Sequence, residues 1–259
     1  QSGSDSIKPT LSSDSVAFNG SQYLFNTSPI MYANGSMEVF IVASGSAQSD
    51  TRLVGEGSST NNNPFYGIQT GKNNDTDKMS VYIRNDNNSV LANGIVNSGV
   101  SFDGTFKILH WKDTGTEISG RINGGVAGVV SYTRSGTFTV NRFCIGGVLR
   151  STFAAGFTGN IKEIIISSPQ LDSERQKIEG YLAHKWGLDG SLNSGHSYKS
   201  VVPLPGSNPF STAVASGSGK SLDLSNGTFA TVSTGGTEDV FDGDSNFSVS
   251  MWVKGWPSD

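Results

Sequence analysis

Phe157-Thr-Gly-Asn-Ile-Lys-Glu-Ile-Ile-Ile-Ser167, followed after Ser168-Pro-Gln170 by Leu171-Asp-Ser-Glu-Arg-Gln176, decides how this sequence is read. The first half is a strand, rich in β-branched residues and carrying polar ones between them near its start. The second half opens a helix. Ser173 and Gln176 stand at the spacing of a capping box, with Ser173 as N-cap. Ile178, Tyr181, Leu182 and Trp186 then recur on one helical face, and Gly187 stands where a left-handed C-cap residue belongs. The spacing predicts one helix over about 173–186, packed by that stripe, with His184 off it and in solvent.

Upstream, the same strand character recurs in Ser36-Met-Glu-Val-Phe-Ile-Val-Ala43, Met79-Ser-Val-Tyr-Ile-Arg84, Phe106-Lys-Ile-Leu-His-Trp-Lys112 and Phe138-Thr-Val-Asn-Arg-Phe143. Turn signals such as Asn19-Gly20, Asn34-Gly35, Asn93-Gly94, Asp103-Gly104 and Gly146-Gly147 punctuate them. Many short strands closed by turns predict an antiparallel sandwich or barrel, each strand turning one face to a core. Composition agrees: of 259 residues 33 are Gly and only 15% are charged, which suits an uncharged, turn-rich extracellular β-protein. Net charge is -4 without a Lys/Arg run, so no footprint for nucleic acid is present. No apolar stretch approaches the roughly 18 residues of a membrane-spanning helix. The single cysteine, Cys144, lies in a strand-like run and reads as a small buried hydrophobe.

Three stretches resemble the laminin-G-like, concanavalin-A-like lectin superfamily in its bacterial and phage form. They are Val16-Ala-Phe-Asn-Gly-Ser-Gln-Tyr-Leu24 with Gly35-Ser-Met-Glu-Val-Phe-Ile-Val42, the hairpin from Phe106 through Ser119-Gly-Arg-Ile-Asn-Gly-Gly125, and the Phe157–Ile166 strand leading into the helix. Lys177 to Leu188 resembles the tail of marine bacterial members. The resemblance covers residues 14 to about 200. It implies an all-β jelly roll of two antiparallel sheets with about six or seven strands each. It also implies a rim of loops for sugar or protein, sometimes built around Ca²⁺, and it does not imply catalysis.

The pattern breaks after Lys199 into a Pro-, Gly- and Ser-rich stretch. Ser221-Leu-Asp-Leu-Ser-Asn-Gly-Thr-Phe229 then echoes Ser15 to Tyr23, and Asn246-Phe-Ser-Val-Ser-Met-Trp-Val253 echoes Ser36 to Ala43. The expected organisation is a sandwich over 1–200, a linker over 201–220, and the first strands of a second copy over 221–259. Such a chain is expected to be part of a longer secreted or surface protein, displayed outside the cell or on a virion.

Chemistry is sparse. A retaining glycosidase needs two carboxyl groups about 5–5.5 Å apart, yet the strand acids Glu38 and Glu163 have no acidic neighbour two residues away. His110 has no companion motif of a lyase, and no nucleophile elbow is present. The chain therefore reads as non-catalytic. For Ca²⁺, which takes about six to eight oxygens, Asn73, Asp75 and Asp77 form an oxygen-rich cluster, although Asn and Asp are also ordinary turn residues. For a glycan, Phe65, Tyr66 and Trp111 supply aromatic rings beside the polar loop 56–66; alternatively Phe65 and Tyr66 begin a strand and fill the core. The expected role is carbohydrate binding or adhesion, with a glycan or cell-surface partner. The alternative is a structural repeat contacting neighbouring copies or subunits.

Overall fold

The computed structural model describes residues 7–31, 35–72, 75–99 and 101–203, and the backbone of 249–250. Two antiparallel sheets face each other. The larger has the order β1 (Thr10–Ser12), β2 (Ser15–Asn19), β15 (Thr158–Ser167), β4 (Met37–Ser44), β9 (Lys107–Asp113), β10 (Glu117–Ile122) and β11 (Gly128–Ser131). The backbone of β16 (Val249–Ser250) also pairs with β15, at Ile165 and Ile166. The smaller sheet has the order β3 (Leu24–Asn26), β12 (Arg142–Ile145), β5 (Thr51–Gly57), β6 (Phe65–Lys72), β7 (Asp75–Arg84) and β8 (Val90–Asn97). A short hairpin, β13 (Val148–Leu149) with β14 (Phe153–Ala154), stands apart from both. The predicted linker and second copy lie outside the described residues, apart from the backbone of 249–250.

Period-two alternation divides each central strand between two cores. From β4, Val39, Ile41 and Ala43 meet Leu109 and Trp111 of β9 and, across the sandwich, Tyr66, Ile68, Val81 and Ile83. The intervening Phe40 and Val42 face the other way, onto Ile108, Ile165 and the helix residues Ile178, Leu182 and Ala183. Every residue of β4 is therefore buried, which is why its sequence shows so little polar alternation. On β15 a bulge between Ile161 and Glu163 shifts the register. It lets Ile161 and Ile164, three apart, share the inner core.

The helix α1 (Asp172–Trp186) covers the outer face of the larger sheet and ends at Gly187 in the left-handed conformation, φ 67°. Its start differs from the expected capping box. Leu171 is the N-cap, with no side-chain cap hydrogen bond. The Asp172 carboxylate instead accepts from Arg175 and Gln176, while Gln176 Oε1 accepts from the Ser197 amide. The apolar stripe is narrower than predicted. Tyr181 is 37% exposed, whereas the half-buried His184 meets the Tyr198 carbonyl through Nε2 at 2.9 Å. Cys144 is buried, as expected, and burial pushes its thiol pKa up.

Carboxylates trapped between helix and sheet all have cationic partners, as burial of charge requires. Glu38 pairs with Lys112 Nζ at 3.0 Å, and Glu163 with Lys185 Nζ at 2.8 Å. Glu179 pairs with Arg175, and with His196 Nε2 at 3.1 Å. Burial works to raise the Glu179 pKa; the His196 hydrogen bond and the nearby His110 and Arg175 outweigh it and hold the carboxyl below its usual 4.5. A depressed folded-state pKa gives stability that is present above the unfolded value and is lost as pH falls through the folded one. The urea midpoint is thus expected to fall as the pH drops below 4.5, and Glu179→Gln is expected to flatten that fall. A variant that keeps the full acid slope rejects this assignment.

Candidate functional site

The outer face of the smaller sheet carries a cluster of arginines, and glycines make room for it. A bulge between Arg52 and Val54 turns the Arg52 side chain onto this face, opposite Gln69. There it lies against Gly67, where an added Cβ would stand 3.2 Å from Arg52 Cγ. Gly57 is paired with Phe65. A Cβ on Gly57 would come within 2.8 Å of both Arg150 Cγ and the Leu149 carbonyl oxygen, so the missing side chain lets the β13–β14 hairpin approach.

Phe65 and the half-buried Tyr82 then sit side by side, ring centroids 4.7 Å apart. Three guanidinium carbons surround the Phe65 ring at 4.9 Å (Arg84), 5.4 Å (Arg52) and 5.6 Å (Arg150), within cation–π range. Backbone carbonyls hold these arginines. Arg84 Nη2 donates to Asn62 O at 2.6 Å, Arg150 Nη1 to the same oxygen at 2.8 Å, and Arg52 Nη1 to Asp50 O. Arg142 in turn donates to the Arg150 carbonyl at 2.7 Å. The Nε atoms of Arg52 and Arg150 are buried and have no hydrogen-bond partner. Burial lowers the Arg52 pKa to about 10; Asp50 draws it up, and the positive charges of Arg150 and Arg84 draw it down. Arg150 is lowered too, by burial and by Arg84. The face is a like-charged cluster held by backbone carbonyls.

The aromatic rings singled out in the sequence stand elsewhere or act differently. Tyr66 and Trp111 are each 1% exposed, inside the core between the sheets, because strand alternation turns them inward. Neither is a ligand platform. Phe65 is on the outer face, but at 4% exposure it is capped by guanidinium groups and supports them instead of stacking on a sugar. The arginines were missed because they come from β5, β7 and the hairpin, far apart in sequence. The usable signal was Gly at positions 55, 57 and 67 inside strands, which marks something packed closely on that face.

The proposed metal cluster is a strand edge more than a loop. Asp75 and Asp77 both belong to β7, with Asp75 opposite Lys72. Asp77 lies 3.4 Å from Lys78 Nζ, and its carbonyl accepts from Ser101 N and Oγ. Asn73 lies outside the described residues. Among the described residues no three His, Cys, Asp or Glu side chains converge as a metal set. Two carboxylates at alternate strand positions do not by themselves form a Ca²⁺ cage.

Two other places merit comparison. Asp113, 1% exposed, accepts from Tyr66 OH, Tyr132 OH, Arg134 and the Gly115 amide, so its oxygens are filled. A cleft at the open edge between β2 and β3 has a volume of about 60 Å³ and is lined by Leu11, Val16, Phe18, Leu24, Ile145 and Ile161 among others. That is far below the roughly 300 Å³ of a small-ligand pocket.

No family described by a sequence profile matches the chain, and no curated protein does. Solved structures do resemble it. The CBM40 domain of the Ruminococcus gnavus IT-sialidase, bound to α2,6-sialyllactose, is 16% identical, with a TM-score of 0.42 over 51% of this chain and 75% of that one. Domain 4 of AbnA, a GH43 extracellular arabinanase from Geobacillus stearothermophilus in complex with arabinotriose, is 15% identical, with a TM-score of 0.45 over 61% of this chain and 71% of that one. The LG1–3 region of the laminin α2 chain is 17% identical, with a TM-score of 0.44 over 60% of this chain and 31% of that one. The likeness is one of fold alone, with every TM-score below 0.5. Among the described residues no helix is long and apolar enough to cross a membrane.

Proposed function

We propose that this chain is a non-catalytic recognition module that binds carbohydrate on the outer face of its smaller sheet, within a larger extracellular or surface-displayed protein. One observation carries the reading: three guanidinium groups gathered round Phe65 on a sheet face, with no carboxylate paired to them among the described residues. Sugars are recognised by hydrogen-bonding groups set beside an apolar surface, and Tyr82 supplies the partly open ring here. The chemistry of the face is binding chemistry. It has donors and positive charge, and no general acid or nucleophile is paired with them.

The test is a glycan-array screen of the full chain, run with Ca²⁺ and repeated with EDTA. Specific binding that Arg84→Ala reduces by about tenfold supports the reading, since one lost charged hydrogen bond is worth that much or more. Binding that also disappears in EDTA assigns a role to Ca²⁺ and directs mutation to Asp75 and Asp77. Absence of binding in both conditions rejects the reading in favour of a structural repeat. That alternative draws on a separate observation, the pairing of the 249–250 backbone with Ile165 and Ile166 of β15.

A further inference from the structure

On the larger sheet and its helix several basic side chains are answered by carboxylates: Lys112 by Glu38, Arg134 by Asp113, Arg175 by Asp172 and Glu179, Lys162 by Asp14, Lys185 by Glu163. The outer face of the smaller sheet gathers arginines without such partners. Among the described residues no carboxylate lies within ion-pair distance of Arg52, Arg84, Arg142 or Arg150, and Asp50 acts on Arg52 only from longer range. Only backbone carbonyls hold them. Yet Arg52 is just 8% exposed, its Nε has no partner, and it shares the Phe65 ring with two further cations. Desolvating a guanidinium beside two others is unfavourable unless an anion completes the site.

We propose that this cluster receives the negatively charged group, a carboxylate or a sulfate ester, of an acidic sugar residue; the proposal rests on the glycan-binding reading above. The planar guanidinium fork matches both anions through paired N–H···O bonds. Carbonyl oxygens of Asn62 and Asp50 fix the forks from behind. Gly57 and Gly67 keep the neighbouring strands low enough for Arg150 and Arg52 to lie along the sheet. A neutral sugar would leave the three charges unanswered, so the face discriminates by charge as well as by shape.

Titration calorimetry on the full chain tests this with matched polymers: polygalacturonate against its methyl ester, and dextran sulfate against dextran. The acid of at least one pair is expected to bind at least about tenfold more tightly than its uncharged counterpart, and to weaken as salt is raised. The pair that shows the difference separates carboxylate from sulfate. Arg84→Lys, which keeps the charge and loses the fork, and Arg150→Gln are each expected to weaken that binding by about tenfold. Lys177→Gln, the same charge change on the helix, is expected to leave it unaltered, and thermal denaturation confirms that each variant is folded. Equal binding to the acid and neutral members of both pairs overturns the acidic assignment while leaving glycan binding intact. So does array binding confined to neutral sugars. Binding to no glycan at all overturns both.

Discussion

Trp111→Ala is expected to lower the unfolding free energy by about 3–5 kcal/mol while leaving ligand affinity per folded molecule unchanged. Trp111 is 1% exposed and sits on β9 at the centre of the inner core, among Val39, Ile41 and Leu109 and the facing smaller sheet. Truncating the indole removes its transfer free energy and opens a cavity that two stiff, hydrogen-bonded sheets cannot close. At roughly 2–4 °C per kcal/mol for a domain of this size, the melting temperature should fall by about 6–20 °C. Guanidinium denaturation with a binding measurement at low temperature checks both halves. An unchanged midpoint together with lost binding would return Trp111 to the ligand site and reject its place in the core.

Asp113→Ala is expected to cost a similar amount, about 3–5 kcal/mol, for an electrostatic reason. The Asp113 carboxylate closes β9 of the larger sheet and receives Tyr66 OH, from the smaller sheet, at 2.9 Å. Tyr132 OH approaches at 2.8 Å, Arg134 Nη2 at 3.0 Å and the Gly115 amide at 2.7 Å. The carboxylate staples the two sheets. Removing it strands several buried donors at once. Tyr66→Phe removes a single hydroxyl and should cost about 1 kcal/mol. In the double variant the two effects should fall short of additive, because the Tyr66 hydroxyl has already lost its acceptor. A loss below about 1 kcal/mol for Asp113→Ala would mean that water or a rearranged neighbour satisfies those donors, and the staple would have to be abandoned.

The fold was legible because strand periodicity and turn residues are local. The runs at 36–43, 79–84, 106–112 and 157–167 all became strands, and the helix began one residue from the predicted start. Where the reading slipped, a tertiary contact had taken over a local role. Ser173 resembled an N-cap, but Asp172, one residue earlier, found Arg175 and Gln176, and the helix starts at Asp172 with Leu171 as its N-cap. Tyr181 shared the helical period of the apolar stripe, yet the sheet beneath covers Ile178, Leu182 and Ala183, with Trp186 partly against them, and leaves Tyr181 37% exposed. The arginine face was hidden for the opposite reason. Sequence reasoning looked for aromatic rings near a polar loop and found three. Alternation had already committed two of them to the core, while the face was being built from arginines on segments that only the antiparallel pairing brings together. Nothing local marks Arg52 as a neighbour of Arg84 and Arg150. The glycines beside them in the strands were the single trace.

Because α1 closes over the larger sheet, the molecule has a back and a front. Residues 198–203 lie on the back, with Tyr198 and Pro203 against Gly180 of the helix. The arginines look out from the front. A molecule held by the back, whether by a longer polypeptide or by a chemist's resin, would still offer its open side to the surroundings, as a tile fixed to a wall does. Anchoring and capture would then proceed on opposite sides without competing for the same surface.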